Sequence, residues 1–230
     1  MSNVLVIGDT HCPAMLDSYP DFLKDVYDSW NCDRVVHIGD LVDFHGISFH
    51  AKEIGMPNIE EELEEAKRQV KNLTKIFPKV DYLTGNHSAL PARQAQEAGL
   101  PPSMLLSLSQ ILDLPDTWNV LPRYTDLIID GVIYRHGDKG RSNQANAAFL
   151  NAQIEFMPVV QGHFHAQGGV LYGANQASRY FGMQTGCGVD PRSPYLNYSK
   201  IYSKRPILGC GVVLNGENAL FEPLFLEDWR

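Results

Sequence analysis

Five short stretches carry side chains capable of chemistry. GDTH contributes Asp9 and His11, GDLVD contributes Asp40 and Asp43, and GNH contributes Asn86 and His87; RHGD adds His136, and GHFH adds His163 and His165. Carboxylate, carboxamide and imidazole donors together suit manganese, iron, zinc and similar divalent ions. Carboxylates clustered away from water repel one another and lose hydration, and cations remove that penalty. Each signal is weak alone. A GxxD pair is mostly a turn, a lone buried histidine is usually a hydrogen-bonded core residue, and HxH recurs by accident. Five such elements, each at an expected strand end, are a pattern that turns and core packing do not explain.

Strands and helices must bring these residues together. NVLVIGD reads as a buried strand ending at Asp9, RVVHIGD as a second and KVDYLTG as a third. Between them, YPDFLKDVYDSW has apolar residues at helical spacing, with Phe22, Val26 and Tyr27 on one side. IEEELEEAKRQVKNLTKIF is an amphipathic helix with Leu63, Ala66, Val70 and Leu73 as its inner stripe. This alternation predicts a parallel sheet covered by helices, whose carboxyl strand ends converge on a crevice. The glycines before the donors permit tight turns and close backbone approach.

The remainder reads differently. Residues 88–118 form a helical insertion broken by Pro91, Pro101, Pro102 and Pro115. A hairpin turns at Asp130-Gly131, a helix follows with Ser142 as its N-cap, MPVVQG is another buried strand, and a second hairpin turns at Asn215-Gly216. Parallel units followed by antiparallel hairpins predict two packed sheets with helices outside, in one domain spanning 1–230.

The 230 residues, 44% of them hydrophobic, suffice for one well-filled core. A strand beginning almost at Met1 leaves no room for a signal peptide, and no apolar run is long enough to span a bilayer. The expectation is a cytoplasmic protein with no membrane partner. Its cysteines, Cys12, Cys32, Cys187 and Cys210, form no CxxC pair and are expected to be reduced. The net charge of -8 and the lack of a basic stripe disfavour a nucleic-acid partner.

Several residues near the motifs have plainer readings. The acidic run 59–69 reads as a solvated helix face with Glu64–Arg68 support. His37 reads as core and His50 as loop, whereas His45 follows Asp43 closely enough to reach the pocket rim and contact a phosphate oxygen. Lys139 and Arg141 read either as phosphate contacts or as a solvated turn. QTGCGVD reads as turn chemistry, and the tyrosines of SPYLNYSKIY as core or edge residues rather than base-stacking ones.

The order DxH, GDxxD, GNH, HG, GHxH, running from residue 9 to 165, resembles the calcineurin-like metallophosphoesterases. The resemblance implies an α/β fold, a four-layer α/β/β/α sandwich of two mixed β-sheets flanked by helices. It also implies two divalent ions, manganese first, with iron, nickel, cobalt or zinc as alternatives. Asp9, His11 and His165 would hold one ion, Asn86, His136 and His163 the other, and Asp40 would bridge them. His87 and Asp43 would be catalytic, with His87 near the leaving group and Asp43 supporting a ligand. Asn86, His87 and His45 would bind substrate.

The implied reaction is hydrolysis of phosphomonoesters or phosphodiesters by a metal-bridging hydroxide. A DNA or RNA nuclease of the same superfamily is the alternative, and a non-catalytic metal-binding interaction module is the second. One departure stands out. The family's motif usually continues GNH[DE], but Ser88 occupies that place; the leaving-group role of His87 then depends on Asp43 or another acid substituting for it in space. Specificity is assigned to loop 44–58 and segment 88–118; neither the substrate nor the oligomeric state is legible.

Overall fold

A computed structural model describes residues 1–49, 55–140, 146–176, 178–195 and 205–226. His50, Arg141, Ser142, Tyr198 and Tyr202, each given a reading from sequence, lie outside these residues. Two mixed sheets are present. The first contains β1 (Asn3–Ile7), β2 (Arg34–His37), β3 (Val80–Leu83), β4 (Trp118–Leu121), β10 (Gly209–Leu214) and β11 (Asn218–Pro223), in the order β11-β10-β1-β2-β3-β4. The second contains β5 (Leu127–Ile129), β6 (Val132–Arg135), β7 (Val159–Gln161), β8 (Gly168–Ala174) and β9 (Arg179–Thr185), in the order β5-β6-β7-β9-β8. β1 to β4 pair in parallel and β10 joins β1 antiparallel.

Side-chain alternation along β1 explains the layering. Val4 and Val6 face the second sheet, where they share a core with Tyr134, Val160, Phe181 and Met183. Leu5 and Ile7 face the other way, into a core with Tyr19, Leu23 and Val26 of α1 (Tyr19–Ser29) and Ala66, Val70 and Leu73 of α2 (Ile59–Ile76). On the far side, Ile133 and Val159 pack against Ala152 of α5 (Ala147–Glu155). The layers are therefore helix, sheet, sheet, helix, as the resemblance implied.

Both hairpins turn where expected, with positive φ at Asp130 (50°), Gly131 (79°), Asn215 (56°) and Gly216 (74°). Four local expectations need correction. Pro91 does not break a helix; it lies in the first turn of α3 (Leu90–Glu97), where its missing N–H costs nothing. α5 is described from Ala147, with Asn146 at the N-cap position; the expected N-cap, Ser142, lies outside the described residues. In α1 the buried stripe is Tyr19, Leu23 and Val26, while Phe22 and Tyr27 are only partly buried. In α2, Glu62 is buried and Leu63 only half-buried, so the acidic run is not uniformly solvated. Arg68 pairs with Glu65, one turn back, instead of Glu64.

Candidate metal centre

The donor residues follow the carboxyl ends of β1, β2, β3, β6 and β7. Three of them leave the strand direction through left-handed backbone: His11 (φ 46°), Asp40 (φ 34°) and His163 (φ 67°). Such conformations are uncommon outside glycine, and here each turns a donor back over the sheet edge. The loops after β1 and β2 are stitched together by His11 N to Asp40 O (2.8 Å), Cys12 N to Leu41 O (2.9 Å) and Asp43 N to Cys12 O (3.1 Å).

Glycines make the crowding tolerable. A Cβ at Gly39 would lie 2.1 Å from His136 Nδ1, one at Gly85 2.2 Å from Asp40 Oδ1, and one at Gly162 2.6 Å from Asp9 Oδ1. The GD, GN and GH pairings in the sequence are therefore steric requirements of the cluster.

Donor atoms gather into two groups. In the first, His165 Nε2 lies 3.1 Å from Asp9 Oδ2 and 3.1 Å from His11 Nε2. In the second, His136 Nε2 lies 3.2 Å from Asp40 Oδ2 and 3.0 Å from Asn86 Oδ1, with the His163 ring 5.1 Å from that of His136. Asp40 faces both groups, since its Oδ2 is also 3.8 Å from His11 Nε2. Its other oxygen accepts the backbone N–H groups of His87 (2.7 Å) and Ser88 (3.2 Å).

These residues fit divalent cations. Among the described residues Asp9 Oδ1 is buried without a hydrogen-bond partner, and two imidazole nitrogens point at each other across 3.1 Å, an arrangement that a shared cation satisfies. A third grouping, His11, Asp43 and His87, is better read as a hydrogen-bonded triad. Asp43 Oδ1 lies 2.7 Å from His11 Nδ1 and 2.9 Å from His87 Nδ1, which leaves the Nε2 of His11 facing Asp9 and His165. A carboxylate behind a ligating imidazole fixes its tautomer and orientation.

The electrostatics follow from burial opposed by charge. Burial would raise the Asp40 carboxyl, but the His136 imidazole beside it holds it well below the usual range. Burial would likewise raise Asp43, but its bonds to His11 and His87 hold it far down. Burial depresses His87, yet Asp43 and Asp40 overcome it and push this imidazole up to about 9. His136 is pushed to about 9 by Asp40 and Asp9 against the same burial. Burial lowers His163 to about 4.

Ser88 does not face the imidazole. Its hydroxyl lies 3.3 Å from Val42 N and 3.4 Å from Val42 O, and it is buried. The carboxylate beside the His87 imidazole is that of Asp43, 2.9 Å from Nδ1. His45 is 7% exposed, with Nδ1 4.0 Å from Asp43 Oδ2; it sits beside Asp43 and does not line the open cleft. His37 is a core residue, 3.2 Å from Thr10 Oγ1 and edge-on to Tyr82, with its basicity lowered by burial to about 4.

Other residues near the motifs also resolve. Lys139 pairs with Asp126 at 3.7 Å. In QTGCGVD, the N–H groups of Cys187 and Gly188 are taken by Ile207 O and Asp9 O, so turn and bridge chemistry is correct there. Cys12 is buried, and burial pushes its thiol up to about 12.

Sequence reasoning missed Glu62. It is 2% exposed, and its carboxylate accepts His45 N (2.6 Å) and Gly46 N (2.8 Å), fixing the loop after Asp43. Burial outweighs those bonds and raises it to about 7. The signal was its phase: Glu62, Ala66, Val70 and Leu73 recur at helical spacing on one stripe.

Comparison with solved structures gives similar chains of low identity. Yfce, a phosphoesterase from E. coli, is 14% identical over 93% of this chain and 88% of its own, with a TM-score of 0.44. Vacuolar Protein Sorting 29 from Cryptosporidium parvum is 13% identical over 97% of each chain, with a TM-score of 0.44. Vps29 of Chaetomium thermophilum is 12% identical over 97% of each, with a TM-score of 0.48. No curated protein matches. The calcineurin-like phosphoesterase family matches residues 2–181, across both sheets and every donor motif, and the chain belongs to that family.

Proposed function

We propose that the chain is a binuclear metal-dependent phosphoesterase that hydrolyses phosphomonoesters or phosphodiesters. Asp9, His11 and His165 hold one ion, Asn86, His136 and His163 the other, and Asp40 is shared. The observation that carries this reading is the position of Asp40, whose Oδ2 lies 3.2 Å from His136 Nε2 and 3.8 Å from His11 Nε2. Two divalent ions bound there supply Lewis acidity toward a phosphoryl oxygen and lower the pKa of water. Manganese suits the mixed nitrogen and oxygen donors. Four buried free cysteines suit a reducing, cytoplasmic setting.

The chain's own residues supply the proton chemistry. With His87 Nδ1 held 2.9 Å from Asp43 Oδ1 and 3.1 Å from its carbonyl oxygen, Nε2 is the nitrogen left for substrate. In the metal-free protein Asp43 and Asp40 push this imidazole upward against burial, which favours the protonated form that gives its proton to a departing alkoxide. Asp43 thus replaces the acid that the motif lacks after His87.

Metal analysis of manganese-loaded protein, with turnover of phenyl phosphate and diphenyl phosphate, tests the reading. Two ions per chain are expected. Asp40→Asn weakens both sites, and His165→Ala mainly one. A stoichiometry near one that Asp40→Asn leaves unchanged overturns the bridging assignment, and no turnover of either ester overturns the activity.

A further inference from the structure

A cleft of about 360 Å³ opens beside the donor cluster. Asn86, His87, Phe49, Arg93, Arg123 and Asp138 are among the residues that line it. The two arginines differ. Arg123 is engaged by Asp138, with Nε 2.7 Å and Nη2 2.6 Å from Oδ2, so that pair adds no net charge. Arg93 has no carboxylate within ion-pair distance among the described residues. It is nevertheless held in place. Its Nη1 donates to Asn86 O at 3.2 Å, and its guanidinium lies over the Phe49 ring, 4.9 Å from the centroid.

One bond therefore anchors the guanidinium within a residue's width of the donor cluster, and one ring fixes its plane. The remaining N–H groups are free of any carboxylate among the described residues, in a chain whose net charge is -8. A fixed, unneutralised guanidinium on a concave wall is an anion-binding element. The cleft volume is at the small end of the range for small-molecule sites and does not suit a duplex.

We propose that Arg93 binds a second anionic group of the substrate, so that the preferred substrates are small phosphoesters carrying another phosphate or a carboxylate near the scissile group. This rests on the phosphoesterase reading above and makes Arg93 a specificity-determining residue. Phe49 positions Arg93 and shields one face of it from water. Phe49 from the loop after Asp43 and Arg93 from α3 thus meet at the same subsite.

The test compares kcat/KM for phenyl phosphate, 3-carboxyphenyl phosphate and thymidine 3′,5′-bisphosphate on manganese-loaded wild type, Arg93→Ala and Arg93→Lys. Arg93→Ala is expected to lower the preference for the doubly anionic substrates over phenyl phosphate by roughly 10- to 100-fold, the effect of one charge-assisted hydrogen bond, and Arg93→Lys to recover part of it. The carboxylate and bisphosphate arms tell which second anion is read. Equal losses on all three substrates would place Arg93 on the scissile phosphate or on the Asn86 loop and overturn the proposal. If none of the three is turned over, the phosphoesterase reading fails, and calorimetric binding still decides the subsite. Wild type must then bind thymidine 3′,5′-bisphosphate more tightly than thymidine 5′-monophosphate, and Arg93→Ala must erase the difference; an unchanged difference overturns the subsite.

Discussion

His87 Nδ1 lies 2.9 Å from Asp43 Oδ1, although 44 positions separate the two residues in sequence. The same oxygen is 2.7 Å from His11 Nδ1, so one carboxylate orients a proposed ligand and a proposed acid together. That arrangement makes the function of each of the three residues separable by experiment.

If His87 protonates the leaving group, His87→Ala keeps both ions and the fold. Its rate on alkyl phosphoesters falls by roughly 10²–10⁴, and much less on aryl esters, which need little proton help. Rates plotted against leaving-group pKa, together with metal content, check this. Equal losses across the series would assign His87 to phosphate positioning, and loss of metal would make it a ligand.

Ser88 touches backbone and not imidazole, so Ser88→Ala is expected to leave the pH–rate profile unmoved and to cost about 1 kcal/mol of stability. Ser88→Asp would bury a carboxylate beside Val42 O and close to Asp40, destabilising the fold by several kcal/mol. Thermal melts and pH profiles of both variants distinguish this from a direct Ser88–His87 partnership. In that case, Ser88→Asp would instead raise the apparent pKa of His87.

Metal-free protein has a signed pH dependence. His87 and His136 are both raised from 6.5 to about 9 in the fold. Their pairs with Asp43 and Asp40 contribute stability in full below about 6.5 and lose it as pH rises through about 9. The depressed His37 and His163 oppose this trend only up to about pH 7, and unfolded thiols titrate near 8.5, so between about pH 7 and 8.5 the raised imidazoles dominate. The denaturant midpoint of chelator-treated protein is expected to fall across that window, and His87→Gln to flatten part of the slope. A midpoint that rises would contradict the proposed pairing.

Gly85→Ala isolates a steric requirement, because the added Cβ would lie 2.2 Å from Asp40 Oδ1 and 2.5 Å from Asp40 N. The backbone of Asp40 must shift to accept it. The expected cost is about 1–3 kcal/mol of stability and at least ~10-fold in metal affinity. Metal titration against wild type checks it; unchanged affinity would show that Asp40 is not needed at that position.

The sequence alone made most of the elements and the candidate donors legible, though not β4, which follows the Pro-broken segment. The unbroken apolar run in NVLVI announces a strand buried on both faces, and Val4 and Leu5 do face opposite cores. Glycine followed by Asp, Asn or His at four of the five donor-bearing strand ends announces a cluster, because strand ends in such sheets converge whatever the loops do. These are short-range signals: a strand's period and a turn's glycine are written within a few neighbouring residues.

What tertiary structure decided was the direction of each side chain once the loops crossed. Ser88, adjacent to His87, turns away toward Val42, while Asp43 comes across from another loop to take its place. Glu62 turns inward because the helix that carries it is phased by Ala66, Val70 and Leu73 packing on the sheet, and the His45 loop then needs an acceptor. Arg93 is one of many surface-type arginines until Asn86 O and Phe49 fix it beside the cluster. Each of these contacts joins residues whose separation in the chain carries no period. Only the relative placement of packed elements, set by the burial of both faces of the sheets, determines which of them meet.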